Sequence, residues 1–210
     1  DNAGKIFPST SGKRNTGVFR FSCELTHPKR NQETALGDLI ADILRDSFGI
    51  DLMLMGSGAI RSYSLGPVVH YADLVECLPY DDAVYMLKVT GTQLERMIRH
   101  ILRDEAFQGE HTEFYQFSHG MRIVWSRSGQ VFRELTLDGE VLHADRLYSV
   151  AMQKYHYNNL KPFLNITLEE AEQNGKIRVL STSARDVVEE YLTVNQHLSR
   201  EVEGRLVVEA

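Results

Sequence analysis

The run Ile50-Asp51-Leu52-Met53-Leu54-Met55-Gly56-Ser57-Gly58-Ala59-Ile60-Arg61 decides how the chain is read. Its first half is short and apolar around a single Asp, as a fully buried strand is. Its second half is a loop of small residues closed by an arginine. Small side chains let backbone N–H groups approach a ligand, and a planar guanidinium at the far end grips an oxyanion or a ribose hydroxyl. A tight turn closed by a surface arginine fits the same letters, so the loop alone leaves both readings open.

Working outward, Leu36, Leu39, Ile40, Ile43 and Leu44 recur at helical spacing upstream of the strand, and Gly49 closes that helix. Before it, from Val18, Phe19, Phe21, Cys23 and Leu25 alternate with Arg20, Ser22 and Glu24, the period of a half-buried strand. His27-Pro28-Lys29-Arg30-Asn31 breaks that period. Downstream the pattern predicts a short helix near 71–77 and a strand near 83–89. Thr92-Gln93-Leu94-Glu95 offers a capping box for a second amphipathic helix carrying Leu94, Met97, Ile98, Ile101 and Leu102. Strands follow at 114–117, 122–125, 131–137 and 147–152, with turns at His119-Gly120, Ser128-Gly129 and Asp138-Gly139, the last a hairpin signal. Helices start at Thr167 and Ser183, and a strand at 206–208 ends the chain. Helices and strands mixed without strict alternation predict an α+β class: a layered domain with a mixed β-sheet flanked by helices, over 17–210. Residues 1–16, rich in Gly, Ser, Thr, Asn and Lys, read as a linker or arm.

The chain has 210 residues, 42% of them apolar and 25% charged, which is ordinary globular composition and leaves no room for a second full catalytic domain. Lys and Arg number 23 against 29 Asp and Glu, so the net charge of −6 provides no basic field for a phosphate backbone, and nucleic acid is not an expected partner. No apolar run is long enough to span a bilayer, and no export signal opens the chain. It begins Asp1-Asn2-Ala3 without an initiator Met, which is read as a piece cut or matured from something longer. Cys23 and Cys77 lack the number and spacing of a disulfide framework or zinc knuckle, and are expected as a buried pair of thiols.

Eight scattered histidines form no H-x-H, H-E-x-x-H or D-x-H motif, so neither a metal site nor a catalytic residue is expected within this chain. Gly56-Ser57-Gly58 comes nearest to a nucleophile elbow, but no histidine is placed to serve Ser57 as base. Arg30, just before the first helix, lies where orphan N–H groups also favour anions, or else belongs to a solvated basic run. Tyr80, in Leu78-Pro79-Tyr80-Asp81-Asp82, and Tyr155, in Lys154-Tyr155-His156-Tyr157-Asn158-Asn159, stand beside polar residues after strands. Facing each other there, they would clamp a planar ring.

Six ordered motifs, Glu33-x-x-Leu36-Gly37-Asp38-Leu39-Ile40-Ala41-Asp42, Gly-Ser-Gly-Ala-Ile-Arg at 56–61, Gly66-Pro67-Val68-Val69 with Asp73-Leu74, Leu78-Pro79-Tyr80-Asp81, Val89-Thr90-Gly91-x-x-Leu94 and Leu147-Tyr148-Ser149-Val150, resemble the C-terminal domain of the 5′-nucleotidase family from about Val18 onward. The resemblance implies a domain that binds the nucleoside part of a nucleotide, while an N-terminal metallophosphatase domain, with a divalent metal pair, hydrolyses it. That partner domain and a nucleotide or nucleoside ligand are therefore implied, and family members are commonly exported or surface-held. By position, Arg61 and Arg30 match family arginines, Tyr80 and Tyr155 the two aromatics of the base clamp, and Gly56, Ser57 and Gly58 the ligand loop. The loop's usual Asn is Gly56 here, and the Gly-Gly-Asp-Gly-Phe run is Asn159-Leu160-Lys161-Pro162-Phe163, which puts Lys161 where an Asp binds the ligand. Those two departures keep a second class open, a freestanding ligand-binding or interaction module without a catalytic role.

Overall fold

A computed structural model of the protein describes residues 17–210, so the arm expected at 1–16 lies outside the described residues. The decisive strand is Leu52–Gly56, buried at every position. It lies in a five-stranded sheet ordered Arg178–Ser181, Val84–Thr90, Leu147–Gln153, Leu52–Gly56, Tyr115–Phe117. Only the Leu147–Gln153 and Leu52–Gly56 pair runs parallel.

Because successive side chains of a strand face opposite ways, this one feeds two cores. Leu52 and Leu54 enter one with Trp125, Ile98 and Met152, whereas Met53 and Met55 enter the other with Leu39, Ile43 and Val188. One face is covered by the helices Ala35–Phe48 and Ala184–Val194, the other by the helix Gly91–Ile101 and a four-stranded sheet, Glu140–Val141, Val131–Leu137, Met121–Ser126 and Leu206–Glu209. This is the layered α+β architecture with mixed sheets that the sequence pattern predicts.

Local chemistry sets the boundaries. Thr34 caps the first helix by accepting from the Gly37 N–H, and Gly49 ends it in the left-handed region at φ 61°. Asp138 and Gly139 both have positive φ, the primed turn that an Asp-Gly hairpin requires. Thr167 and Ser183 cap the later helices as expected.

The structure corrects several expectations. The capping box is Thr90 with Gln93, each side chain bonded to the other's backbone N–H, because the strand Val84–Thr90 turns directly into the helix. The alternation from Phe19 to Leu25 is not one strand: Val18–Arg20 pairs with Val68–His70, then the chain leaves to pair Leu25–Thr26 with Ser64–Leu65. Cys23 falls in that crossing and is exposed, so only Cys77 is a buried thiol. The segment after Leu147–Gln153 is not loop but two short helices, Lys154–Tyr157 and Leu160–Leu164.

An ionic cluster lies inside the fold. Arg205 grips Asp42 bidentately at 2.6 and 2.9 Å, and Arg200 and the His119 N–H also reach that carboxylate. Burial works to raise the Asp42 pKa, but these bonds hold it below the usual carboxylate range. Asp38, one helical turn earlier, is buried with neither oxygen hydrogen-bonded, and the Arg205 Nε is 3.5 Å away. Burial, with Glu33 and Asp42 nearby and only partly offset by Arg205, pushes its pKa up to about 9. The unfolded chain releases that proton near pH 3.8 and the native one near 9, so the native state holds more protons in between and stability falls as pH rises across that window. Asp38→Asn is expected to flatten that part of a plot of urea midpoint against pH; an unchanged slope contradicts a protonated Asp38.

Candidate functional site

Sheet topology brings four segments to one end. The parallel strands Leu147–Gln153 and Leu52–Gly56 both finish there, while the antiparallel Val84–Thr90 and Tyr115–Phe117 both begin there, as the pairings Gln153 with Val84 and Gly56 with Tyr115 show. The glycine loop, the Tyr80 loop, the Tyr155 helix and the residues before Tyr115 therefore meet in one cleft of about 590 Å³. Arg30, Gly58, Arg61, Tyr80 and Tyr155 line it together, joined by Ala59, Asp81, Asp82, Glu113, Gln153 and His156.

Ser57 is buried and holds the loop in place. Its hydroxyl donates to the Arg30 carbonyl at 2.7 Å and accepts from Gln116 Nε2 at 2.9 Å. Its N–H donates to the Phe114 carbonyl, and its own carbonyl accepts from His27 Nε2 at 3.0 Å. His27 is buried, which lowers its pKa and keeps it neutral; with Nε2 donating, Nδ1 accepts from the Thr34 hydroxyl at 2.8 Å. Ser57 is thus committed to structure and offers no nucleophile. Tied in this way, Arg30 lies against Gly58: a Cβ on that glycine would stand 3.4 Å from Arg30 Nη1.

The two tyrosines are brought to the cleft by one carboxylate. Asp82, two residues beyond Tyr80, accepts the backbone N–H of Tyr155 at 2.7 Å and so ties the Tyr80 loop to the Tyr155 helix. Asp81 is held by the Ser183 hydroxyl and Arg185. Neither ring is taken into the core: Tyr80 is 59% exposed and Tyr155 55%. Arg61 reaches only the Gly58 carbonyl, at 3.4 Å, and among the described residues neither Arg61 nor Arg30 has an ion-pair partner. Two uncommitted guanidiniums beside two exposed aromatic faces suit a ligand with an anionic group and a planar ring.

Gly56 and Lys161 stand elsewhere. Gly56 ends the buried strand, and a Cβ there would collide with Cε1 and Nε2 of His156, so this glycine makes room for an imidazole. Lys161 does not line the cleft; its ammonium donates to Asn165 Oδ1 at 2.9 Å. Sequence reasoning missed Asp82, Glu113, Gln153 and His156. Asp82 and His156 sit beside the tyrosines that drew attention; for Glu113 nothing local gives a signal.

The contact between Gly56 and His156 is testable. Gly56→Ala overpacks the site and is expected to cost about 1–3 kcal/mol, and His156→Ala in the same chain to relieve most of that. Urea unfolding of both single variants and the double reads the coupling; additive losses contradict it.

The 5′-nucleotidase, C-terminal domain family matches the sequence over residues 15–164. The chain belongs to that family. No curated protein sequence matches it at a significant level. Among solved structures, this 5′-nucleotidase C-terminal domain is similar to the 5′-nucleotidase precursor of Thermus thermophilus, with TM-score 0.74 and 20% identity, over 93% of this chain and 40% of that one. The Haemophilus influenzae NAD nucleotidase gives TM-score 0.74 at 13% identity, over 93% and 38%. The Thermus thermophilus sulfate thiohydrolase SoxB gives TM-score 0.63 at 14% identity, over 88% and 34%. At such identities the likeness establishes the fold alone. The C-terminal domain described here spans about 40% of the length of the first of these relatives. Among its described residues no three potential ligands cluster to hold a metal ion, and no helix is long and apolar enough to cross a membrane.

Proposed function

We propose that this chain is the nucleotide-recognising part of a metal-dependent 5′-nucleotidase or related phosphohydrolase, and that hydrolysis belongs to an N-terminal metallophosphatase domain of the same parent. The observation that carries this reading is the cleft in which Tyr80, Tyr155, Arg30 and Arg61 converge, with both tyrosines more than half exposed and both guanidiniums without an ion-pair partner among the described residues. Stacking on an exposed aromatic contributes about 1–3 kcal/mol per base, and a guanidinium fork suits phosphate or a ribose hydroxyl. Arg30 and Arg61 take the anionic end of the ligand, Tyr80 and Tyr155 the base. Gly58 lets Arg30 lie close, and Ser57 fixes the loop from beneath. Lys161 stands off the cleft and takes no part.

A divalent metal pair supplies the hydrolytic chemistry in this reading, and the residues described here do not fit one, since no three ligands cluster. The chain alone is therefore expected to bind nucleotides without cleaving them.

Calorimetry of the chain with AMP and with adenosine tests the division of labour within the cleft. Arg61→Ala is expected to weaken AMP about tenfold or more, the worth of a hydrogen bond to a charged group, and to change adenosine less. Equal losses for the two ligands contradict a phosphate role. Absence of binding by AMP, adenosine and a UDP-sugar alike would leave the freestanding interaction module as the better reading.

A further inference from the structure

The floor of the cleft carries a second recognition element, made of residues that the resemblance does not supply. His156 is 2% exposed, directly follows one of the two clamp tyrosines, and packs edge-on to Tyr155 with ring centroids 5.3 Å apart. Its other neighbours are Tyr115, at 4.9 Å, and Phe163, at 6.1 Å. The ring occupies the space a side chain at position 56 would need, so the buried imidazole fits only because that position is glycine. His156 Nε2 lies 3.1 Å from Glu113 Oε2. A carboxylate oxygen only accepts, so Nε2 carries a proton, and Nδ1 is buried without a partner.

The consequence falls on Glu113. Its side chain is 27% exposed and lines the cleft, with one oxygen held by the imidazole. Among the described residues nothing donates to Oε1. The other cleft carboxylates are already satisfied: Asp82 by the N–H groups of Tyr155 and Ala83, Asp81 by Ser183 and Arg185. Elsewhere on the same lining, Gln153 is buried with its carboxamide oxygen unpartnered. Buried polar atoms are normally paired, by protein, water or ligand. An oriented carboxylate next to a site for a planar ring attracts an N–H donor on the ring edge and repels a carbonyl oxygen there.

We propose that Glu113, held in place by His156, selects the ring edge of the bound nucleotide and favours bases bearing an exocyclic amino group over their oxo counterparts. This rests on the reading of the cleft as a nucleotide site. Glu113 touches the ligand; His156 is a positioning residue that acts through Glu113 and fits only because position 56 is glycine.

The test is calorimetry of the chain with two matched pairs, AMP against IMP and CMP against UMP, each pair exchanging an amino for an oxo group on the ring while keeping ribose and phosphate. The parent is expected to favour the amino member about tenfold or more in at least one pair. Glu113→Gln, which keeps the size and both accepts and donates, is expected to bring that ratio near one or invert it. His156→Leu is expected to lower the ratio as well, with the ring still stacked, whereas a merely structural histidine would weaken both members alike and leave the ratio unchanged. Binding of all four nucleotides with no preference in the parent, or with the same preference in Glu113→Gln, overturns the proposal and leaves the nucleotide reading intact. Failure of the parent to bind any of the four overturns both.

Discussion

Arg205→Ala is expected to cost about 3–5 kcal/mol of unfolding free energy, the usual result of stripping the partner from a buried charge. Arg205 is itself buried and meets Asp42 with both Nη atoms, while Nη1 also donates to the Phe117 carbonyl. Removing it leaves Asp42 with Arg200 and the His119 N–H, and brings Asp38 next to an ionised carboxylate with no guanidinium between them. The backbone on either side of Arg205 stays anchored, because Glu33 accepts the N–H groups of Glu203, Gly204 and Leu206 just where the strand Leu206–Glu209 enters its sheet. Urea unfolding measures the loss directly. A loss below about 1 kcal/mol, the worth of an exposed pair, would show that solvent reaches this cluster.

The second large effect is on binding. Stacking on each ring is expected to contribute about 1–3 kcal/mol, so Tyr80→Ala with Tyr155→Ala is expected to weaken AMP about thirtyfold or more. Both side chains are more than half exposed, so truncating them should hardly change the unfolding midpoint. That separation matters, since a loss of binding at constant stability cannot be blamed on misfolding. The partner-free Arg30 and Arg61 would remain, so inorganic phosphate is expected to compete with AMP for the double variant and for the unsubstituted chain alike. Loss of phosphate competition together with AMP affinity would mean that the double change had collapsed the cleft.

Much of the fold could be read directly from the sequence because its signals are local. The five-position stripes of the two long helices, the caps at Thr167 and Ser183, and the Asp138-Gly139 hairpin each depend on residues within a few places of one another. The misreadings come from tertiary demands. Phe19 to Cys23 alternates like a strand, yet the chain changes partner midway and turns Cys23 outward. Tyr80, Tyr155, Arg30 and Arg61, which the structure gathers in one cleft, stand out in the sequence as aromatic and basic residues beside loops. Glu113 does not, because it joins the cleft only through the pairing of Gly56 with Tyr115. Gly56 reads as part of a ligand loop and serves a histidine 100 places later. The acidic run Glu33 to Asp42, prominent in the resemblance, is structural: Asp42 finds its guanidinium 163 positions away, a distance no window of sequence spans.

A crystal structure of the chain with AMP tests the central claim most directly. The base is expected between the Tyr80 and Tyr155 rings, with Arg30 and Arg61 on the phosphate or ribose and Glu113 at the ring edge. AMP bound elsewhere on the molecule, or in the cleft with its base off both rings, would contradict it.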